Sequence, residues 1–351
     1  MGEDTRPVRP GEALDVEKLR AYLGLTGDIE VSQFPSGFSN LTYLVKIGAR
    51  ELVLRRPPHG AEIRSAHDMG REYRVLAGLS KVYPLVPKTV ALCEDASVLG
   101  APFYVMERLH GIVLRTRVPE GVAATPKIMR RLSENFLDNL AAIHGVDLEA
   151  AGLTGLGKPE GYIQRQMDGW QRRYENAASE RIDLLEQVSD WLRGNLPAPT
   201  GACLIHNDYK YDNVMLDPDD VTRIRAVFDW EMATIGDPLL DLGTTLGYWV
   251  EASDPAEWRD LSFGVTTLPG NLTRRELMEC YGRQTGRNVE PGILWAYVYA
   301  LFKIAVIIQQ IYRRYLEGHS KDERFAGLGG RVHATAREAA RALQRGTVSS
   351  Q

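Results

Sequence analysis

Cysteine is scarce. The 351 residues hold three, Cys93, Cys203 and Cys280, and no two of them form a C-x-x-C pair. That argues against a disulfide framework and a cysteine zinc site, and predicts free thiols in a reducing cytoplasm. An excess of one charge is also missing. Forty-two Lys and Arg stand against 46 Asp and Glu, a net of −4, which argues against a nucleic-acid or other polyanion binder. Met1–Pro10 is polar and lacks the apolar core of a secretory signal. The most apolar run, Leu294–Ile308, is interrupted by Lys303 and falls short of the roughly 20 residues that span a bilayer. It reads as a buried helix, and no membrane span is expected. Internal repeats and low-complexity tracts are absent. What remains is ordinary for a globular enzyme: 44 % hydrophobic, 25 % charged, and long enough for two domains.

Chemistry concentrates in one block. Residues 206–213 read His-Asn-Asp-Tyr-Lys-Tyr-Asp-Asn, and 227–231 read Val-Phe-Asp-Trp-Glu. Phosphoryl transfer from ATP needs one carboxylate to orient a hydroxyl and accept its proton. It also needs an amide oxygen and a second carboxylate to hold Mg²⁺ against the phosphates. Asp208, Asn213 and Asp229 supply that set, and H-x-D-x-x-x-x-N is the spacing of a kinase catalytic loop. Any one of them alone would be an ordinary loop residue. Apolar strands expected at 213–216 and 224–228 set them at a workable separation. An aspartate with a pKa near ~3.9 is a poor base for an alcohol, so orientation is the expected role of Asp208. Asp237 is expected to cap a helix with Pro238 at its first position, and Asp241 to brace the loop from that helix.

His206–Asn213, Phe228–Glu231 and Gly236–Leu242 resemble the aminoglycoside phosphotransferase family. The nearest branch is the one related to kinase-like domains attached to some acyl-CoA dehydrogenases, and the resemblance runs over roughly residues 28 to 320. It implies an α+β, protein-kinase-like two-lobe fold. Residues 1–108 would form a small ATP-binding lobe with an antiparallel sheet and one main helix, residues 1–13 being a mobile arm. Residues 109–351 would form a larger, mostly helical lobe. The resemblance implies ATP and Mg²⁺ as cofactors and a small-molecule hydroxyl as acceptor. A hydroxylated acyl derivative comes first, an aminoglycoside second, and a nucleotide-binding module without turnover is the alternative from another class. A protein kinase fits less well, because no Ala-Pro-Glu segment follows Asp229.

The same resemblance assigns the remaining candidates. Lys210 stands where protein kinases carry a lysine that neutralises γ-phosphate charge, and His206 braces the loop. The turn Pro35-Ser36-Gly37-Phe38-Ser39-Asn40 would cover the ATP phosphates, with Ser36 where many relatives have a second glycine. Arg55 replaces the usual strand lysine, and alternation points Arg56 to the opposite face. Glu72, on a helix expected over 67–82, would pair with Arg55. The hinge Met106-Glu107-Arg108-Leu109 would meet adenine at Glu107 and Leu109. Further helices are expected at 127–144, 162–178 and 181–195, a strand at 203–205, and His144 as a structural residue near the loop. Tyr162, Trp170, Tyr174, Tyr248 and Trp249 could line an acceptor pocket or simply be core. Six Lys and Arg against three Asp and Glu in 321–351 disfavour a polycationic acceptor, while the acidic run Glu251–Glu257 leaves room for one.

Overall fold

The computed structural model describes residues 4–35, 40–58, 68–177, 181–261, 263–318 and 323–350. The chain divides into two compact units. The first holds residues 1–111, 147–153 and 226–233, the second the remainder.

In the first unit, α1 (Val16–Leu23) begins where Asp15 accepts from the Lys18 N–H and ends at left-handed Gly24. Next come β1 (Ile29–Gln33), β2 (Leu41–Ile47) and β3 (Arg50–Arg56), then α2 (Met69–Leu79), β4 (Thr89–Cys93), α3 (Ala96–Leu99) and β5 (Phe103–Glu107). The five strands form one sheet in the order β1-β2-β3-β5-β4, with every neighbouring pair antiparallel. Strand alternation sorts β3. Leu52 and Leu54 join a core cluster with Tyr43, Val45, Phe103 and Val105. Arg56 follows them at 1 % exposure and donates to the Leu99 carbonyl at 2.7 Å. Arg55 has the opposite parity. Residues 4–12, expected as a mobile arm, lie along β1: Arg6 and Gln33 exchange backbone hydrogen bonds of 2.9 and 2.8 Å. The Tyr43 hydroxyl donates to the Glu12 carbonyl at 2.8 Å.

The second unit begins with β6 (Ile112–Val113) and α4 (Pro126–His144). After α5 (Leu148–Ala151), which belongs to the first unit, come α6 (Tyr162–Ala177), α7 (Asp183–Gly194), β7 (Cys203–Ile205), β8 (Val214–Leu216), β9 (Ile224–Val227), whose last two residues belong to the first unit, and β10 (Thr234–Gly236). The chain closes with α8 (Pro238–Tyr248), α9 (Ala256–Arg259), α10 (Arg274–Thr285), α11 (Glu290–Leu316) and α12 (Leu328–Arg345). β10 pairs antiparallel with β7 from Thr234↔Ile205 to Gly236↔Cys203, so the loop after Ile205 leaves a fixed strand end.

The core of this unit is the α8–α11 crossing. Asp237 caps α8 at the Leu239 N–H, Pro238 takes the first position, and all eleven residues of α8 are buried. A Cβ on Gly243 would stand 2.6 Å from the Ala296 backbone, and one on Gly247 2.8 Å from the Ala300 Cβ. Two small residues per helix therefore let the backbones meet. α11 has the length and composition of a membrane-crossing helix, but 78 % of its apolar window is buried within the protein, as a core helix requires. Gly243→Ala should therefore lower unfolding stability by about 1–3 kcal/mol through overpacking. Gly155→Ala, with no atom within 4 Å of the new methyl, is the control. Equal urea midpoints for the two variants would contradict the close approach.

Candidate active site

The loop 206–213 is organised by one buried carboxylate. Asp241, on α8 and with no exposed surface, accepts the His206 N–H at 2.7 Å and the Asn207 N–H at 2.6 Å. His144 Nε2–H donates to it at 3.0 Å, and His144 Nδ1 accepts from the Tyr281 hydroxyl at 2.6 Å. Burial alone would push the Asp241 carboxyl up, but these donors hold it below the usual range. Both expectations for this part of the site, Asp241 bracing the loop and His144 as its structural neighbour, match the geometry.

Those bonds fix a strained backbone. Asn207 and Asp229, each at φ 65°, are the only non-glycine residues with positive φ among the described residues. Left-handed backbone is uncommon for a residue with a Cβ, and asparagine and aspartate adopt it more readily than other side chains. The peptide after Asn207 is held at both ends. Its carbonyl accepts from Lys303 Nζ at 2.8 Å, and its N–H, on Asp208, donates to His206 Nδ1 at 3.3 Å.

Asp208 follows. Asn213 Nδ2 donates to its Oδ2 and to its backbone carbonyl, each at 2.8 Å. Lys210 Nζ stands 2.9 Å from Oδ2. The same ammonium lies 4.7 Å from the Tyr248 ring centroid, a cation–π contact. Burial would raise the Asp208 carboxyl, yet Lys210 first, then His206 and Lys303, bring it below its ordinary value. Asp208 in turn raises the Lys210 ammonium against burial. Asn213 thus spends its amide nitrogen within the loop, which leaves its amide oxygen as the group it can offer elsewhere.

The first unit carries the second cluster. Arg55 Nη1 donates to Glu72 Oε1 at 2.6 Å, the pairing expected from sequence. Arg55 Nη2 lies 3.4 Å from Asp229 Oδ1 and 3.6 Å from Glu231 Oε2. Asn40 Nδ2 donates to Glu231 Oε2 at 2.8 Å. Burial lifts Glu72 to about 6 against the opposing charge of Arg55, and Arg55 is pushed well above its ordinary range by Glu72 and its neighbours despite burial. Trp230, 1 % exposed, anchors the Asp229 segment edge-on against Tyr83, and the Val227 N–H donates to the Leu85 carbonyl. Ser36, Gly37, Phe38 and Ser39 lie outside the described residues. At the expected hinge, the Glu107 N–H already donates to the Lys88 carbonyl at 2.8 Å, and Leu109 is half-buried. Asn213 falls in the second unit and Asp229 in the first.

The residue pattern gave no warning of three participants. Glu231 stands two residues past Asp229 and shares its arginine. Tyr248 was read only as pocket lining or core, and it carries the Lys210 contact. Lys303 was read only as a break in an apolar run. Conversely, the acidic run is already matched. Asp254 makes a forked pair with Arg274, both bonds 2.7 Å, and Glu251 accepts the Arg274 backbone N–H. Glu257 pairs with Arg337 and Arg341. Those two arginines are part of the C-terminal positive excess, so the two features offset each other at Glu257.

Burial pulls the Lys303 ammonium down to about 8, with Lys210 and Arg173 adding repulsion and Asp208 and Asp241 opposing. The unfolded chain keeps that proton up to the ordinary lysine value of 10.5. Between the two values the unfolded state binds more protons, so stability rises with pH. Relative to Lys303→Met, the wild type should gain stability on the order of 3 kcal/mol between those two pH values. Parallel pH–stability curves from denaturant titrations would contradict it.

Comparison with known proteins shows the family of the chain. A model of the "Phosphotransferase enzyme family" matches residues 30–273. Mouse acyl-CoA dehydrogenase family member 10 is 35 % identical over 326 residues, which is 90 % of this chain and 30 % of that protein. The chain therefore spans under a third of that relative's length. The crystal structure of a candidate aminoglycoside phosphotransferase from Ralstonia eutropha JMP134 superposes with a TM-score of 0.80 at 30 % identity, covering 97 % of this chain and 100 % of that one. A thermostable aminoglycoside phosphotransferase APH(4)-Ia mutant, solved as a ternary complex with AMP-PNP and hygromycin B, shares the fold at a TM-score of 0.57 and 18 % identity, covering 92 % and 97 %. The chain belongs to the phosphotransferase enzyme family, with the kinase-like α+β fold of the aminoglycoside phosphotransferases and kinship to the acyl-CoA-dehydrogenase-linked domains.

Proposed function

We propose that the protein moves the γ-phosphoryl group of ATP, bound with Mg²⁺, to a hydroxyl of a small molecule. One observation carries the reading. The Asp208 carboxylate is fixed by Asn213 and Lys210 on a loop whose strained backbone is tied down by Asp241.

The charges suit a divalent cation and phosphates. The Arg55 guanidinium lies against three carboxylates, Glu72, Asp229 and Glu231. Among the described residues, the buried Arg55 Nε has no hydrogen-bond partner, and the guanidinium is the cation that would face the phosphates. By the family resemblance, Asn213 through its amide oxygen and Asp229 through its carboxylate are each assigned to Mg²⁺, which takes few protein oxygens. When bound, Mg²⁺ supplies positive charge to the phosphates. Asp208 orients the acceptor hydroxyl and takes its proton late, as its low basicity requires. Lys210, raised by its carboxylate partner, keeps its charge and stabilises the transferring group.

For the acceptor we take a hydroxylated acyl derivative. The kinship with a protein named an acyl-CoA dehydrogenase supports it, as does the engagement of Glu251, Asp254 and Glu257 by arginines. ADP release assayed with hydroxyacyl compounds and with aminoglycosides tests both acceptor classes. Asp208→Asn should lower kcat by about 10²–10⁴-fold while keeping a Mg-ATP-induced rise in unfolding stability of about 2.7 kcal/mol at a hundredfold excess over Kd. Asp229→Ala should lose most of that rise. A rise without ADP release from any hydroxyl compound would favour nucleotide binding without turnover, and no rise at all would end the ATP reading.

A further inference from the structure

Lys303 is the only charged residue of α11 between Glu290 and Arg313, and it is 4 % exposed. An apolar side chain of that length would fill the slot without desolvating a charge, so packing alone does not account for a lysine. Its ammonium is spent on one backbone atom, the Asn207 carbonyl at 2.8 Å, with the Trp170 ring centroid 5.8 Å away. That carbonyl belongs to the peptide joining Asn207 to Asp208. The charged groups around the ammonium are Asp208 and Lys210 from the loop, Asp241 from α8 and Arg173 from α6.

We infer that Lys303 is a positioning residue for Asp208, clamping the Asn207 carbonyl while Asp241 holds the Asn207 N–H, so that the left-handed turn aims the carboxylate. The inference rests on the phosphotransfer reading for its kinetic consequence and on geometry alone for the clamp. An anion on one side and a cation on the other hold the strained residue, and neither touches the reacting atoms. The dipole of the peptide is thereby locked from both ends, with His206 Nδ1 accepting the Asp208 N–H.

The test compares wild type with Lys303→Met and Lys303→Arg. Three measurements are made: amide hydrogen exchange over 203–213, steady-state kcat and KM for ATP, and the melting shift on adding Mg-ATP. In Lys303→Met, kcat should fall about tenfold to a hundredfold, with KM for ATP and the Mg-ATP shift unchanged and exchange of the loop amides faster. Lys303→Arg should recover part of kcat. A core lysine with no positioning role would leave kcat and loop exchange unchanged in Lys303→Met, or would lower kcat and ATP affinity together with the melting temperature. Either result overturns the inference. If the wild type turns over no acceptor, the phosphotransfer reading fails separately. Loop exchange at undiminished melting temperature then decides the clamp: faster exchange sustains it, and unchanged exchange rejects it.

Discussion

A single buried carboxylate is the constraint on which the 206–213 loop depends. Asp241 has no exposed surface and no lysine or arginine within salt-bridge distance among the described residues. Its charge is carried by two peptide N–H groups and a histidine. Hydrogen bonds to the charged form are what allow an anion to stay ionised in the interior. The bonds work in both directions. They stabilise the carboxylate, and they hold Asn207 in the left-handed region, which asparagine adopts more readily than most side chains. Tyr281 fixes the imidazole that fixes the carboxylate, so the brace reaches from α10 through α4 and α8 to the loop. Each member is buried and satisfied, the condition under which a polar network rigidifies a fold.

The helix crossing beneath the loop makes the brace rigid. α8 presents Asp241 and α11 presents Lys303, and the two helices meet through Gly243 and Gly247 against Ala296 and Ala300. Small residues at the crossing bring the backbones close, so little compressible side chain separates the anion-bearing helix from the cation-bearing one. A methyl group added there would part the helices and alter the positions of both charges relative to the Asn207 backbone. Packing and electrostatics are thus coupled at a site with no polar atom of its own.

How much of this was legible depended on sequence distance. Asp208, Asn213 and Asp229 lie within a short stretch, and their chemistry needs those residue types at that spacing, so they could be read directly. Asp237 and Pro238 carry a local capping signature, and α8 starts where they place it. The Arg55–Glu72 pair needed the family resemblance, because a glutamate on an amphipathic helix has no local mark of its partner. Lys303 could not be read at all: its contact lies 96 residues away, at a backbone atom. The charges of 251–257 were misleading for the same reason. Their partners, Arg274, Arg337 and Arg341, lie up to 84 residues distant, and a run of acids shows nothing of the arginines that fold onto it. The N-terminal segment reads as mobile because its partners on β1 and β2, reached through backbone and through Thr5 and Glu12 side chains, lie 21 to 31 residues away.

The electrostatics of the second unit bear on what the enzyme can accept. Two ammonium groups act on Asp208. Lys210 touches its carboxylate and lies over the Tyr248 ring, and Lys303 acts from behind the loop. Together they make Asp208 a weaker base than a free aspartate. In the proposed reaction such a carboxylate would gain little by pulling a proton early, and more by fixing the direction of the hydroxyl while fixed cations stabilise the transferring phosphoryl. Those cations also discriminate. An acceptor with several amino groups would meet Lys210 as a like charge, and the nearby acidic run is already neutralised by its own arginines. Under the proposed phosphotransfer, a neutral or anionic hydroxyl compound would meet no such repulsion, which supports the proposed hydroxylated acyl acceptor over an aminoglycoside.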